Sequence, residues 1–189
     1  MNIICIAKNM TSTEIASWVQ AVGSVAAILA AAGIAIWQSK KQHESALKLF
    51  RNEQAHIRME AAKTLAVLAR NCSKAVEYFI SQLNSRDSVY EVASGEKYFD
   101  FGQLNYLSNY LDSIPLHNLP STLVTNAMIL NATYRQFKDK VESAIKNHRS
   151  MNSDHFHDLF NTFEKMSNSL NKTCVEIESK LKKMENQGP

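Results

Sequence analysis

Glycine and proline are scarce, with five and three in 189 residues. The residues that most often interrupt a helix are therefore nearly absent, and long unbroken helices are allowed. Cysteine is scarce too: Cys5, Cys72 and Cys174 are odd in number and show no CxxC spacing, which excludes a disulfide framework or a zinc ribbon. Cys72 and Cys174 fall on apolar stripes, where a thiol acts as a small hydrophobe in a reducing compartment. Charge of one sign is lacking as well. A net charge of +3, evenly spread, excludes nucleic acid as the main partner.

Chemistry-bearing motifs are also missing. The chain holds no GxxxxGK[ST], GxGxxG or GxSxG element, and no serine, cysteine or lysine in a nucleophile context. No catalytic residue, cofactor, metal or small-molecule substrate is expected, and the protein is expected not to be an enzyme. The one crowding of metal-ligand types is His148, Asp154, His155, His157 and Asp158. On a helix, His155 and His157 point to nearly opposite sides, so the group reads as a helix N-terminus whose acids complement the dipole.

What the chain does have is one long apolar run. Ile15 to Trp37 holds 23 residues without a charge, enough at about 1.5 Å per residue to cross a hydrocarbon core of roughly 30 Å. The run is too long for a signal-peptide core and lacks the polar stripe of a buried soluble helix. It is expected to be a transmembrane helix over residues 12–38, preceded by a short extracytoplasmic tail at 1–11. Thr11 followed by Glu14 is a capping-box pattern that opens the helix near Ser12.

Trp18 and Trp37 sit near the two ends of the span, where aromatic belts form. Lys40, Lys41, Lys48 and Arg51 follow it, whereas Lys8 alone precedes it. The expected orientation is N-terminus outside and C-terminal region cytoplasmic, in a bacterial inner membrane, with Lys40 and Lys41 at the head groups. Inside the span Gly23, Ala27 and Ala31 recur at i, i+4, i+8, the small-residue ridge that lets helix backbones approach closely in lipid. Gln20, one turn inside the outer end, is placed to hydrogen-bond across such a contact.

Residues 39–189 are expected to form one cytosolic antiparallel bundle of about four helices, which makes the chain all-α. No stop signal occurs between Trp37 and Asn84, so the anchor is expected to run into the first bundle helix. That helix carries Leu47, Phe50, Gln54, Ile57, Ala61, Thr64, Leu68, Cys72, Ala75, Phe79 and Leu83 at spacings of three and four. Asn84 to Lys97, rich in Asn, Ser, Asp and Gly, is expected to be a loop. A short helix from Tyr98 to Ile114 follows, with Phe101, Leu104, Leu107, Leu111 and Ile114 on one face, and Pro115 ends it.

The next helix opens at Pro120 and carries Leu123, Ala127, Leu130, Tyr134, Phe137, Val141 and Ala144. The last carries Phe156, Phe160, Phe163, Met166, Leu170, Cys174, Ile177, Leu181 and Met184 before a lysine-rich end that frays. Tyr78, Tyr90, Tyr98, Tyr106 and Tyr110 gather in one part of the sequence, as edge-of-core residues or a partner surface.

Two functions fit this layout. The first is a membrane-anchored, non-enzymatic interaction protein that binds itself or an unidentified cytosolic or membrane protein. The second is a membrane-perturbing effector of the toxin, abortive-infection or phage-exclusion kind, whose oligomerised anchors open a leak lined by Gln20 and Ser24.

Overall fold

A computed structural model describes residues 11–187. Five α-helices and two 3-10 turns connect without any strand among the described residues: α1 (Ser12–Gln82), α2 (Arg86–Ser94), α3 (Phe101–Asp112), α4 (Ser121–Asn147) and α5 (Ser153–Gln187). The fold is all-helical. The tail expected at 1–11 lies, apart from Thr11, outside the described residues. The chain divides into two compact units, Met1–Glu53 and Gln54–Pro189, and α1 contributes to both.

In the first unit α1 begins where the capping pattern placed it. The Thr11 N–H donates to Glu14 Oε2 at 2.8 Å, and the Thr11 hydroxyl donates to the same oxygen at 2.9 Å. Glu14 thus reaches back as a capping box requires, while the threonine hydroxyl turns to the carboxylate and not to an orphan amide. Every described residue of this unit is exposed. Its helicity owes nothing to packing against a core; the run is rich in alanine and holds no proline, though it also carries β-branched valines and isoleucines.

The second unit holds the core. Leu65, Leu68, Cys72, Val76, Phe79 and Leu83 from α1 and its end are buried, as are all seven residues expected on the inner face of α4. From α5, Phe156, Phe163, Leu170, Cys174 and Ile177 are buried, while Phe160, Met166, Leu181 and Met184 are half-buried at its margin. A chain of rings crosses this core: Phe79 lies 5.2 Å from Phe99 and 6.5 Å from Phe137, and Phe137 lies 5.1 Å from Phe163, centre to centre. Such contacts add about 0.5–1.5 kcal/mol each beyond the area they bury.

Polar contacts fix which helices are neighbours. Arg70 donates to Glu178 Oε1 at 2.5 and 3.0 Å, and Asn171 Nδ2 donates to Glu77 Oε1 at 2.9 Å. As the number rises along α1 it falls along α5, so these stretches run in opposite directions. Ser73 donates to the same Asn171, which therefore bridges two residues of α1. Between α4 and α5, Asn126 donates to Glu176 at 2.9 Å and Lys180 to the Thr122 carbonyl at 2.9 Å. The buried Tyr134 hydroxyl donates to the Leu104 carbonyl at 3.3 Å, and Asn131 to Asp112 at 3.0 Å, tying α4 to α3.

Four sequence expectations are corrected. The stretch Asn84 to Lys97 is not a loop but contains α2. Its serines and glycine are the caps of that helix: Ser85 accepts from the Ser88 amide, and Gly95 ends it at φ 82. The helix after it starts at Phe101 and not Tyr98, capped by Asp100, and Phe99 replaces Phe101 in the core. Pro120 stands as the N-cap of α4, one position before its first turn. The lysine-rich end is helical through Gln187, because Leu181 and Met184 still pack on the core.

Candidate interaction surfaces

The first surface is the exposed helix of the first unit. α1 contains one window long and apolar enough to cross a membrane, and no part of it is buried in the fold. Ten large apolar side chains between Ile15 and Trp37 are exposed, Trp18 at 63% and Trp37 at 62% among them. The Lys41 ammonium lies 5.2 Å from the centre of the Trp37 ring. That cation–π pair puts a charge beside an aromatic at one end of the apolar run, the combination that suits a head-group boundary. Lys40 precedes it on the same exposed turn.

The small-residue ridge lies in the middle of this run. A Cβ placed on Gly23 would meet nothing within 4 Å, and Ala27 and Ala31 are exposed on the following turns. Gln20 is exposed one turn before Gly23. Ser24 donates its hydroxyl to the Gln20 carbonyl at 2.8 Å and to that of Ala21 at 3.0 Å, so its polar group is satisfied by its own helix.

The second surface lies between α1 and α3, inside the second unit. Tyr106 and Tyr110 stack at 6.1 Å. With Lys63, Val67, Asn71 and Leu107 they line two adjoining open grooves of about 420 and 480 Å³, the second of which also takes in Lys74 and Tyr78. Tyr78, Tyr106 and Tyr110 are 50%, 65% and 42% exposed, more than edge-of-core residues would be. Tyr90 behaves differently. It is half-buried, donates to the His148 carbonyl at 3.0 Å and meets the His148 ring edge-on at 4.8 Å, while the Arg86 guanidinium lies over Tyr90 and Phe156 at 5.3 and 5.7 Å. This second cluster closes one end of the core.

The histidine-rich turn is spent on structure. Asn152 Oδ1 accepts from the His155 amide at 2.9 Å and the Asn152 amide donates to His155 Nδ1 at 3.4 Å, so His155 serves in the cap of α5. His148 Nδ1 lies 2.7 Å from the Ile145 carbonyl. Among the described residues no three His, Cys, Asp or Glu side chains converge as metal ligands do. Cys72 and Cys174 are both buried and free. Burial pushes the Cys72 thiol up to about 12, and the neighbouring Cys174 adds to the shift.

Sequence reasoning missed the groove between α1 and α3, because it depends on which helices are neighbours and periodicity does not say. The visible signal was the pair Tyr106 and Tyr110 at i, i+4, on the face of α3 away from Leu104 and Leu111. No protein-family model matches the chain, no curated protein matches it in sequence, and no solved structure matches it in fold.

Proposed function

We propose that this chain is a single-pass membrane protein without enzymatic activity. Its α1 anchors a cytoplasmic antiparallel helical bundle that acts through self-assembly or protein–protein contact. One observation carries the reading: ten large apolar side chains exposed on one helix. At about 1.5–3 kcal/mol for each large side chain removed from water, leaving them wet forgoes on the order of 15 kcal/mol or more, comparable to the whole stability of a domain. A bilayer removes that exposure along the full length of the run, and Trp37 with Lys40 and Lys41 fits the cytoplasmic boundary.

The non-enzymatic part of the reading is supported by how the candidate groups are used, since His155 caps a helix and the two buried thiols are packed as hydrophobes. The leak alternative asks for polar side chains turned toward a lumen, and Ser24 already donates to its own helix, so association is preferred. The test is fractionation of cells expressing the full chain, followed by an alkaline carbonate wash. Retention in the membrane pellet, with release only by detergent, is expected. Recovery in the soluble fraction would overturn the anchor.

A further inference from the structure

We infer that α1 pairs with α1 of a second copy, parallel and in register, along the face carrying Leu47, Phe50, Gln54, Ile57 and Ala61. The inference rests on the membrane reading, which points both copies in the same direction. Past Ala61, itself half-buried against the core, the spacing passes through the exposed Thr64 into Leu68, Cys72 and Ala75, which are buried. At Leu47, Phe50 and Ile57 it is 43%, 59% and 38% exposed. The stripe that builds a core further along the helix is therefore bare at these three positions, while Gln54 and Ala61 are half-buried.

The charges beside the stripe select its occupant. With Leu47, Gln54 and Ala61 at the a positions of a heptad and Phe50 and Ile57 at d, Glu53 takes a g position and Arg58 the e position five residues later. In a parallel, in-register pair the g residue of one helix meets that e residue of the other. Glu53 of each copy therefore faces Arg58 of its mate, twice by symmetry. Among the described residues neither has an ion-pair partner in its own chain. In an antiparallel pair g positions flank g and e positions flank e, so Glu53 and Arg58 would lie on opposite sides of the seam and could not meet. A single polar residue at a, here Gln54, favours a unique register because both amides then pair with each other.

Toward the membrane Lys40 and His43 take the next a and d positions, so the apolar pairing covers only about two heptads. That is marginal in free solution. Confinement of two anchored copies to one bilayer raises their effective concentration and makes so short a seam sufficient.

The test uses the full chain in membranes. In a background of Cys5→Ser, Cys72→Ala and Cys174→Ala, single cysteines are placed at Phe50 and Ile57 on the seam and at Ser45 and Asn52 on the far side, and a mild oxidant is added. A disulfide needs Cβ atoms about 4 Å apart. Phe50→Cys and Ile57→Cys are expected to give a cross-linked dimer, and Ser45→Cys and Asn52→Cys to stay monomeric. Charge reversal guards against misfolding of that background. In the natural sequence Glu53→Arg or Arg58→Glu alone is expected to lower the dimer fraction in mild detergent severalfold, and the two together to restore it.

Membrane-bound chains that cross-link equally at all four sites, or at none, overturn the pairing while leaving the anchor intact. So does a cross-linked product heavier or lighter than two copies, or a double reversal that fails to restore. A chain that never enters the membrane fraction overturns the reading beneath it as well.

Discussion

Cys72 shows how burial alone sets the chemistry of a side chain. Its thiol is wholly enclosed and holds its proton up to about 12, against 9.0 for an ordinary cysteine. The sign of the linkage follows. Below about pH 8 both folded and unfolded thiols are protonated and pH has little leverage. Between about 9 and 12 the unfolded thiol ionises while the folded one does not, so the unfolded state gains and stability falls, by up to about 1.4 kcal/mol per pH unit. Tyr134, displaced upward by the same desolvation, adds a loss of the same sense above pH 10. Denaturant melts at pH 8.5 and 9.5 are expected to show a clear drop in the parent and a shallower one in Cys72→Ala; equal drops would mean the thiol is wetter than its packing implies.

Size at the centre of the core sets a second scale. Phe137 touches both Phe79 and Phe163 and is fully buried, so Phe137→Ala is expected to cost about 3–5 kcal/mol through lost transfer energy and an unfilled cavity. Tyr106→Ala, in the open groove, is expected to cost well under 1 kcal/mol. Parallel denaturant melts check both, and a large loss from Tyr106→Ala would place that ring in the core after all.

Among the elements α2 depends most on its ends, because nine residues are too few to hold a helix by propensity. Ser85 caps its start, and Gly95 ends it at a φ of 82 with open space around the missing Cβ. Gly95→Ala is therefore a strain problem and not a packing one. It is expected to cost about 1 kcal/mol, and Ser85→Ala a similar amount. Both losses should appear first as faster amide exchange within α2 while α4 stays protected; unchanged exchange in α2 would show that its packing, not its caps, holds it.

The same helix shows where the sequence could be read and where it could not. α4 and α5 were legible because seven and nine apolar residues repeat at one period, and a face that long has no other way to be buried. α2 was not, since two valines, Val89 and Val92, are too short a period to outweigh the Asn, Ser, Asp and Gly around them, and those residues serve caps as readily as loops. Phe99 and Phe101 illustrate a subtler failure. The periodic face favoured Phe101, but Asp100 starts the helix one residue before it, and the residue just outside the cap swings into the core against Phe79.

Across the whole molecule the most consequential expectation is direction. Four basic residues, Lys40, Lys41, Lys48 and Arg51, follow the apolar run within one Debye length or two of its end, while Lys8 is alone before it. Translocating a flank with four such charges is disfavoured, and leaving them beside anionic lipid on the cytoplasmic side gains about 1 kcal/mol for each one near the surface. On the proposed membrane reading, the stacking of Lys41 over Trp37 would hold one of these charges at the level where the aromatic ring prefers to rest, opposing both sliding and inversion of the helix. A fluorescent protein fused after Pro189 is therefore expected to fold and shine, and alkaline phosphatase fused at the same place to remain inactive. Replacing Lys40 and Lys41 with glutamine while changing Asn2 and Asn9 to lysine turns one basic residue before the run and four after it into three and two, and is expected to give a mixed population, with phosphatase activity appearing. If the parent fusion is already phosphatase-active, the orientation is the reverse. The second unit then lies outside, where Cys72 and Cys174 would meet an oxidising compartment as two free, buried thiols.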